Sequence, residues 1–162
     1  MSIGLFALAL IVGVFAMGAI LGAPYLPTRK ATAKAALKLL GLKRGDTVVD
    51  LGSGGGGFLL LAAKHGIRGV GYEINPLLFL LSRLRTRKFR DLVTIKLADY
   101  WHHELPPADG IYVFLIKRYM ERLDNKLAEE ITKPTPVVSF AFQIPNKKFV
   151  RQVGELYLYR YS

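Results

Sequence analysis

The sequence contains no cysteine. That excludes a disulfide scaffold, a thiolate zinc site and a cysteine nucleophile. Acidic residues are scarce, 12 against 23 lysines and arginines, so the net charge is +11 over 162 residues. At the amino end charge is missing altogether: Met1 to Thr28 holds no Asp, Glu, Lys, Arg or His. The three histidines, His65, His102 and His103, lack ligand spacing. They read as surface or loop residues, and no metal site is expected. What the sequence does have is apolar content, 51% of residues, in runs of strand and helix period. This excludes a disordered tail and fits one domain of ordinary size.

The uncharged head, Ser2 to Ala23, is long enough as a helix, at ~1.5 Å per residue, to cross ~30 Å of hydrocarbon. Its four glycines do not oppose this, because glycine is common in spanning helices. A cleaved signal peptide is the competing reading, but it calls for a basic residue ahead of a shorter apolar core. A buried or interfacial helix is the third. The division is therefore an anchor over residues 1–23 and a domain over residues 24–162. Arg29, Lys30, Lys34, Lys38, Lys43 and Arg44 follow the apolar run, and flanking positive charge marks the cytoplasmic side. The expected arrangement is a single-pass membrane protein with its domain facing the cytoplasm and its amino terminus outside.

Pro24 to Pro27 reads as a rigid extended linker. Thr28 offers an N-cap for a helix over 29–40, with Gly41 as its stop. Strands are predicted at 47–51, 68–73, 93–97, 111–116 and 136–142, with helices at 58–65, 77–88 and 118–131 between them. Pro76 suits the first position of the third helix. Two closing strands, 149–153 and 155–161, leave little room for a crossover. Alternating strands and helices imply an α/β fold with a mostly parallel sheet covered on both faces, and the closing pair adds an antiparallel edge.

Ligands of such sheets bind beyond the carboxyl ends of the strands. The first strand ends in Asp50, followed by the loop Gly52-Ser53-Gly54-Gly55-Gly56-Gly57. Gly52, Gly54 and Gly57 also satisfy dinucleotide spacing, so the run alone decides little. Asp50 separates the readings. A carboxylate just before the loop is a poor neighbour for a pyrophosphate. It suits a ligand carrying an ammonium and a sulfonium, as S-adenosyl-L-methionine does. The plainer reading makes Asp50 a cap for backbone donors in the turn. Glu73 ends the second strand 21 positions after Gly52, where an acid accepts from ribose hydroxyls. In isolation it reads as an ordinary exposed carboxylate. Asp99 and Tyr100 follow the third strand, with Trp101 next. The acid can take an adenine amine and an aromatic can cover the ring; the alternative has Asp99 opening a turn and Trp101 in the core.

Three acids at the ends of three successive strands, the first opening a glycine loop, resemble the class I S-adenosylmethionine-dependent methyltransferases over residues 46–116. A narrower resemblance rests on Pro24-Tyr25-Leu26-Pro27-Thr28, on Val137 to Phe142 and on Leu156 to Tyr159. It is to a small family of protein-lysine methyltransferases that includes mitochondrial enzymes acting on the ATP synthase c-subunit and on the adenine nucleotide translocase, and small archaeal lysine methyltransferases. The mitochondrial members also carry an apolar segment ahead of the domain. The resemblance implies a Rossmann-like methyltransferase domain that binds S-adenosyl-L-methionine through Thr28, Asp50, Gly52, Gly54, Gly56, Glu73, Asp99 and Tyr100. It implies that the 25–28 segment folds over the cofactor, and that a target lysine enters between it and the ends of the fourth and fifth strands. Two departures stand out. Gly55 and Gly57 occupy loop positions where relatives commonly carry Asp and Arg. No diagnostic motif follows the fourth strand, and the absence of Asn-Pro-Pro-Tyr there counts against methylation of nucleic-acid base amines.

Tyr25, Phe140 and Phe142 are candidate walls of an apolar channel that would lower the lysine pKa on entry; Tyr119 is a weaker one. The expected partner is a protein presenting a lysine, with the membrane as a second partner and no specific nucleic acid. A lipid, quinone or RNA acceptor, or a non-catalytic cofactor-binding module, are the alternatives. The basic stretch Arg83, Arg85, Arg87, Lys88 and Arg90 follows an apolar face. It reads as a solvated helix end, or as a contact for anionic headgroups or RNA phosphates.

Overall fold

The computed structural model describes residues 4–5 and 28–162. The expected anchor, apart from Gly4 and Leu5, and the channel residue Tyr25 lie outside the described residues. Among the described residues, no helix is long and apolar enough to cross a membrane.

A helix α1 (Lys30–Leu40) precedes β1 (Thr47–Leu51), α2 (Gly57–Lys64), β2 (Arg68–Glu73), α3 (Pro76–Thr86), β3 (Val93–Leu97), β4 (Gly110–Val113), α4 (Met120–Glu130), β5 (Thr135–Phe140), β6 (Arg151–Val153) and β7 (Leu156–Tyr161). The seven strands form one sheet in the order β3-β2-β1-β4-β5-β7-β6. The first five are parallel, and β7 runs antiparallel to both β5 and β6. The parallel sheet and the antiparallel edge are as the sequence predicts. The amino end of β1 is tied to the approach to β4: Thr47 N–H donates to Asp109 Oδ2 at 2.8 Å, and Asp109 N–H donates to Thr47 O at 2.8 Å.

The sheet separates two apolar layers. One packs Ala33, Ala36, Leu37 and Leu40 of α1 and Phe58, Leu59, Ala62 and Ala63 of α2 against Val48, Tyr112 and Val138. The other packs Met120, Leu123 and Leu127 of α4 against Val49, Leu51, Tyr72, Val113 and Val137. The period of two along β1 deals Val48 and Val49 to opposite layers. Each fully buried leucine contributes ~1.5–3 kcal/mol.

Several boundaries differ from expectation. Thr28 does not cap α1; the cap position is Arg29, with no side-chain hydrogen bond. Thr28 stands one residue too early, and its Oγ1 instead lies 3.1 Å from the Tyr112 hydroxyl. β4 ends at Val113, three residues short of the predicted stop, because its pairing with β5 ends at Val113–Ser139. β5 ends at Phe140 rather than Phe142, since Ala141 turns the chain with φ of 69°. The third helix stops at Thr86 and tightens into a single turn over Arg87–Phe89.

Candidate active site

The carboxyl ends of β1 and β2 bring two acids to one face. Val48 and Asp50 point the same way along β1, and Gly69, Gly71 and Glu73 share that face of β2. Asp50 is only 2% exposed. Among the described residues it has no ion-pairing cation. Burial, with the charge of Glu73 added, pushes its carboxyl up to about 8. Burial also raises Glu73, against the lowering effect of backbone N–H donors from Asn75, Gly54 and Ile74. Glu73 Oε2 accepts from Gly54 N–H at 2.7 Å and Oε1 accepts from Asn75 N–H at 2.8 Å. This acid therefore fastens the glycine loop to the start of α3, and it is not the exposed carboxylate that the sequence in isolation suggests.

The loop itself is shaped by close approach. Gly56 has φ of 73°, and a Cβ there would stand 2.9 Å from Ser82 Cβ of α3. A Cβ at Gly71 would meet Leu59 at 2.6 Å and Ser53 at 2.8 Å. Only glycine lets the backbone pass at either place. The loop is held from outside by Arg85, whose Nη1 donates to Gly55 O at 2.7 Å. Ser53 Oγ is buried without a hydrogen-bond partner. A buried hydroxyl with no partner beside a buried carboxylate with no cation is costly unless a ligand completes both. The set suits a ligand that brings a cation and hydroxyl groups.

The third acid is committed in part. Asp99 caps the short turn Tyr100–His102: Oδ1 accepts from Trp101 N–H at 3.1 Å, and Oδ2 lies 3.0 Å from His102 Nδ1. Tyr100 is buried in the α4 layer, its ring 4.6 Å from Trp101, and its hydroxyl has no partner. Trp101 is half-buried beneath the Arg122 guanidinium, 4.3 Å from the ring centroid. His65, His102 and His103 are all exposed.

On the β4–β5 side the groups are aromatic. Tyr112 lies opposite Asp50 in the sheet register, stacks on Phe58 at 4.2 Å and meets Thr28. Burial raises the Tyr112 hydroxyl pKa, against the Thr28 hydrogen bond. Phe114, just past the end of β4, packs on Phe140 at 4.5 Å. Phe140 and Phe142 do not form one wall: Phe140 joins the α1–α2 layer and Phe142 the α4 layer. The turn at Ala141 separates them, and Ser139 Oγ donates to Phe142 O across it at 2.6 Å. Tyr112, Phe114 and Ser53 are missing from the sequence-based site. Tyr112 and Phe114 could have been found from the period of two that aligns them with Asp50, and Ser53 from its place inside the glycine loop.

Strand order, the single reversed strand and a glycine loop between two buried acids define the class I methyltransferase fold. A crystallised RNA methyltransferase from Salinibacter ruber, in complex with S-adenosyl-L-homocysteine, superposes with a TM-score of 0.77 at 30% identity, over 84% of this chain and 92% of that one. Residues 50–151 match the ANTKMT methyltransferase domain, and the chain belongs to that family. It is 33% identical to an ATP synthase c-subunit lysine N-methyltransferase of Xenopus laevis over 76% of its length, and 30% identical to the Homo sapiens protein over the same share. The chain spans about half the length of these relatives, 55% and 53%. A protein-lysine N-methyltransferase of Saccharolobus islandicus is 29% identical over 75% of this chain and 78% of its own.

Proposed function

We propose that the protein is an S-adenosyl-L-methionine-dependent protein-lysine N-methyltransferase held at a membrane by residues 1–23, with its catalytic domain on the cytoplasmic side. One observation carries the reading: Asp50, buried and without a cation among the described residues, shares a face with Glu73 and the glycine loop at the ends of β1 and β2. The relatives named as lysine methyltransferases support the acceptor, and the uncharged apolar run supports the anchor.

When bound, the cofactor supplies a methyl group on a sulfonium and departs as S-adenosyl-L-homocysteine. Asp50 would hold its cationic end, Ser53 and the glycine loop its polar groups, and Glu73 its ribose hydroxyls, while Asp99 and the aromatic pair Tyr100–Trp101 flank the adenine. Methyl transfer needs a neutral amine nitrogen in line with the sulfur–methyl bond, so the chain's task is to orient and desolvate the amine. Phe114 and Phe140 offer the apolar wall that lowers a lysine pKa from its usual ~10.4. Thr28 joins that side of the site through its contact with Tyr112. Arginine fits less well, because it stays charged and needs a carboxylate to orient it.

An RNA acceptor is the second reading, favoured by the +11 charge and by the name of the Salinibacter ruber protein. Incubating the full chain with methyl-tritiated cofactor and a membrane extract, then hydrolysing the labelled product, separates the two. Methyllysine is the expected product. Methylated nucleosides or methylarginine without methyllysine would overturn the lysine assignment.

A further inference from the structure

Helix α3 is built the wrong way round for a helix that covers a sheet. Its buried face carries Leu78, Ser82 and Thr86. Its outward face carries Leu77, Leu80, Leu81 and Leu84, exposed by 37%, 59%, 38% and 59%. The inner face is small and polar for a visible reason. Ser82 backs onto Gly56, and the two hydroxyls return to the helix's own carbonyls, Ser82 Oγ to Phe79 O and Thr86 Oγ1 to Ser82 O. The outer leucines have no such reason. At positions i, i+3, i+4 and i+7 they form one stripe about 100° wide, the pattern of a face that is normally buried. Ile74, just ahead of the helix, is exposed as well.

The rim of the stripe is basic. Arg83, Arg87, Lys88 and Arg90 are exposed, and no acidic residue occurs between Pro76 and Arg90. Arg83 is turned over the Phe79 ring, 5.6 Å from its centroid. This charge pattern selects among occupants. A second copy seated on the same stripe would bring the cationic rims together without a counter-charge. An anionic bilayer surface satisfies both parts at once: acyl chains take the leucines, and headgroup phosphates take the arginines and lysine.

We propose that α3 docks on the surface of an anionic membrane, with its leucine stripe in the headgroup–acyl boundary. This contact is separate from the anchor of residues 1–23 and does not depend on the methyl-transfer reading. It sets orientation. α3 begins three residues after Glu73, so the docked helix fixes how the site end of the sheet faces the lipid.

The absence of cysteine makes the test clean, because Leu80→Cys gives the full chain a single labelling site. The chain carrying an environment-sensitive fluorophore there is placed in vesicles of phosphatidylcholine alone, or of phosphatidylcholine with phosphatidylglycerol. A label at Glu129→Cys, on the exposed side of α4, is the control. The expected result is a blue shift and loss of iodide quenching at Leu80 on anionic vesicles only, no change at Glu129, and reversal by Arg83→Glu with Arg87→Glu. A Leu80 label as open to iodide on anionic vesicles as the Glu129 label overturns the proposal. So does shielding that rises with protein concentration in the absence of lipid, which would make the stripe a contact between copies, or shielding that requires an added protein. Alkaline carbonate extraction reads the anchor independently: release of the chain by carbonate with the label still shielded beforehand would sink the anchor and leave the α3 contact standing.

Discussion

The two halves of the site are made of different materials. The β1–β2 half is backbone and carboxylate: a loop fastened by Glu73 and Arg85, glycines where side chains cannot pass, and a buried acid without a counter-ion among the described residues. The β4–β5 half is aromatic side chain: Tyr112 stacked on Phe58, and Phe114 packed on Phe140. The first kind of surface fixes one ligand closely, since each donor and acceptor has one place. The second excludes water and tolerates variation in what enters. A cofactor shared by many enzymes and an acceptor that differs among them call for that division.

The comparison breaks most visibly at Glu73. Glu73→Ala removes the acceptor for two backbone donors and, on the proposed reading, for the ribose, so cofactor affinity should fall on the order of 100-fold at ~1.5 kcal/mol or more per charge-assisted bond. Unchanged affinity by calorimetry would remove Glu73 from the site. Next is Gly56→Ala, which forces a left-handed residue against Ser82 and should cost about 2 kcal/mol, seen as a lower Tm. Gly57→Ala, where a Cβ meets nothing within 4 Å, should be neutral or stabilising; equal losses at both would mean that the loop is not conformationally selected.

The pH dependence sharpens the electrostatic side. With its carboxyl at about 8, Asp50 is protonated in the free protein at neutral pH, and a cationic ligand favours the carboxylate. Affinity should rise as pH increases toward about 8, by at most about tenfold per unit, then level off. The free fold responds in the opposite sense. Raised above its unfolded value, Asp50 favours the folded state most at low pH and progressively less as pH climbs through about 8. Calorimetry in buffers of differing ionisation heat should register proton release on binding near pH 7; a pH-independent affinity would show Asp50 to be no part of the cation site. The smallest effect on binding is expected from the aromatic half. Phe114→Ala or Phe140→Ala should lower methyl transfer by about tenfold through poorer orientation and desolvation, with cofactor affinity within about twofold. An equal loss of both would erase the distinction between the halves.

The same division governs what the sequence discloses. β1, β2 and β3 lie where the sequence places them: β1 because a buried parallel strand is written as a short apolar segment, and the edge strand β3 because Val93, Ile95 and Leu97 alternate with Thr94 and Lys96. The acids and glycines of the first half are legible for a related reason: backbone geometry demands particular residue types at fixed spacing. Glu73 is the exception in role, since its grip on Gly54 and Asn75 depends on the strand and loop meeting in space. The second half is obscure because aromatic residues serve cores and sites alike. Phe140 and Phe142 look equivalent in a strand of alternating residues, and only the left-handed turn at Ala141 sends them to different layers. Thr28 is misread as a cap because a hydroxyl before a helix usually finds a backbone N–H, whereas here Tyr112, 84 positions away, supplies the partner.

The paired hydrogen bonds between Thr47 and Asp109, 62 residues apart, have a consequence for how the chain acquires its structure. β1 is an interior strand of the sheet, and its neighbour on one side, β2, follows after a single helix. Its neighbour on the other side, β4, is synthesised only after α3 and β3. Until then β1 has an open edge, and Asp50 and its loop rest on an incomplete sheet. Closing β4 against β1 is a long-range step of the kind that slows folding. Pulsed hydrogen exchange during refolding should therefore protect amides shared by β1 and β2 before those shared by β1 and β4, making the ligand-binding half the older part of each newly folded molecule.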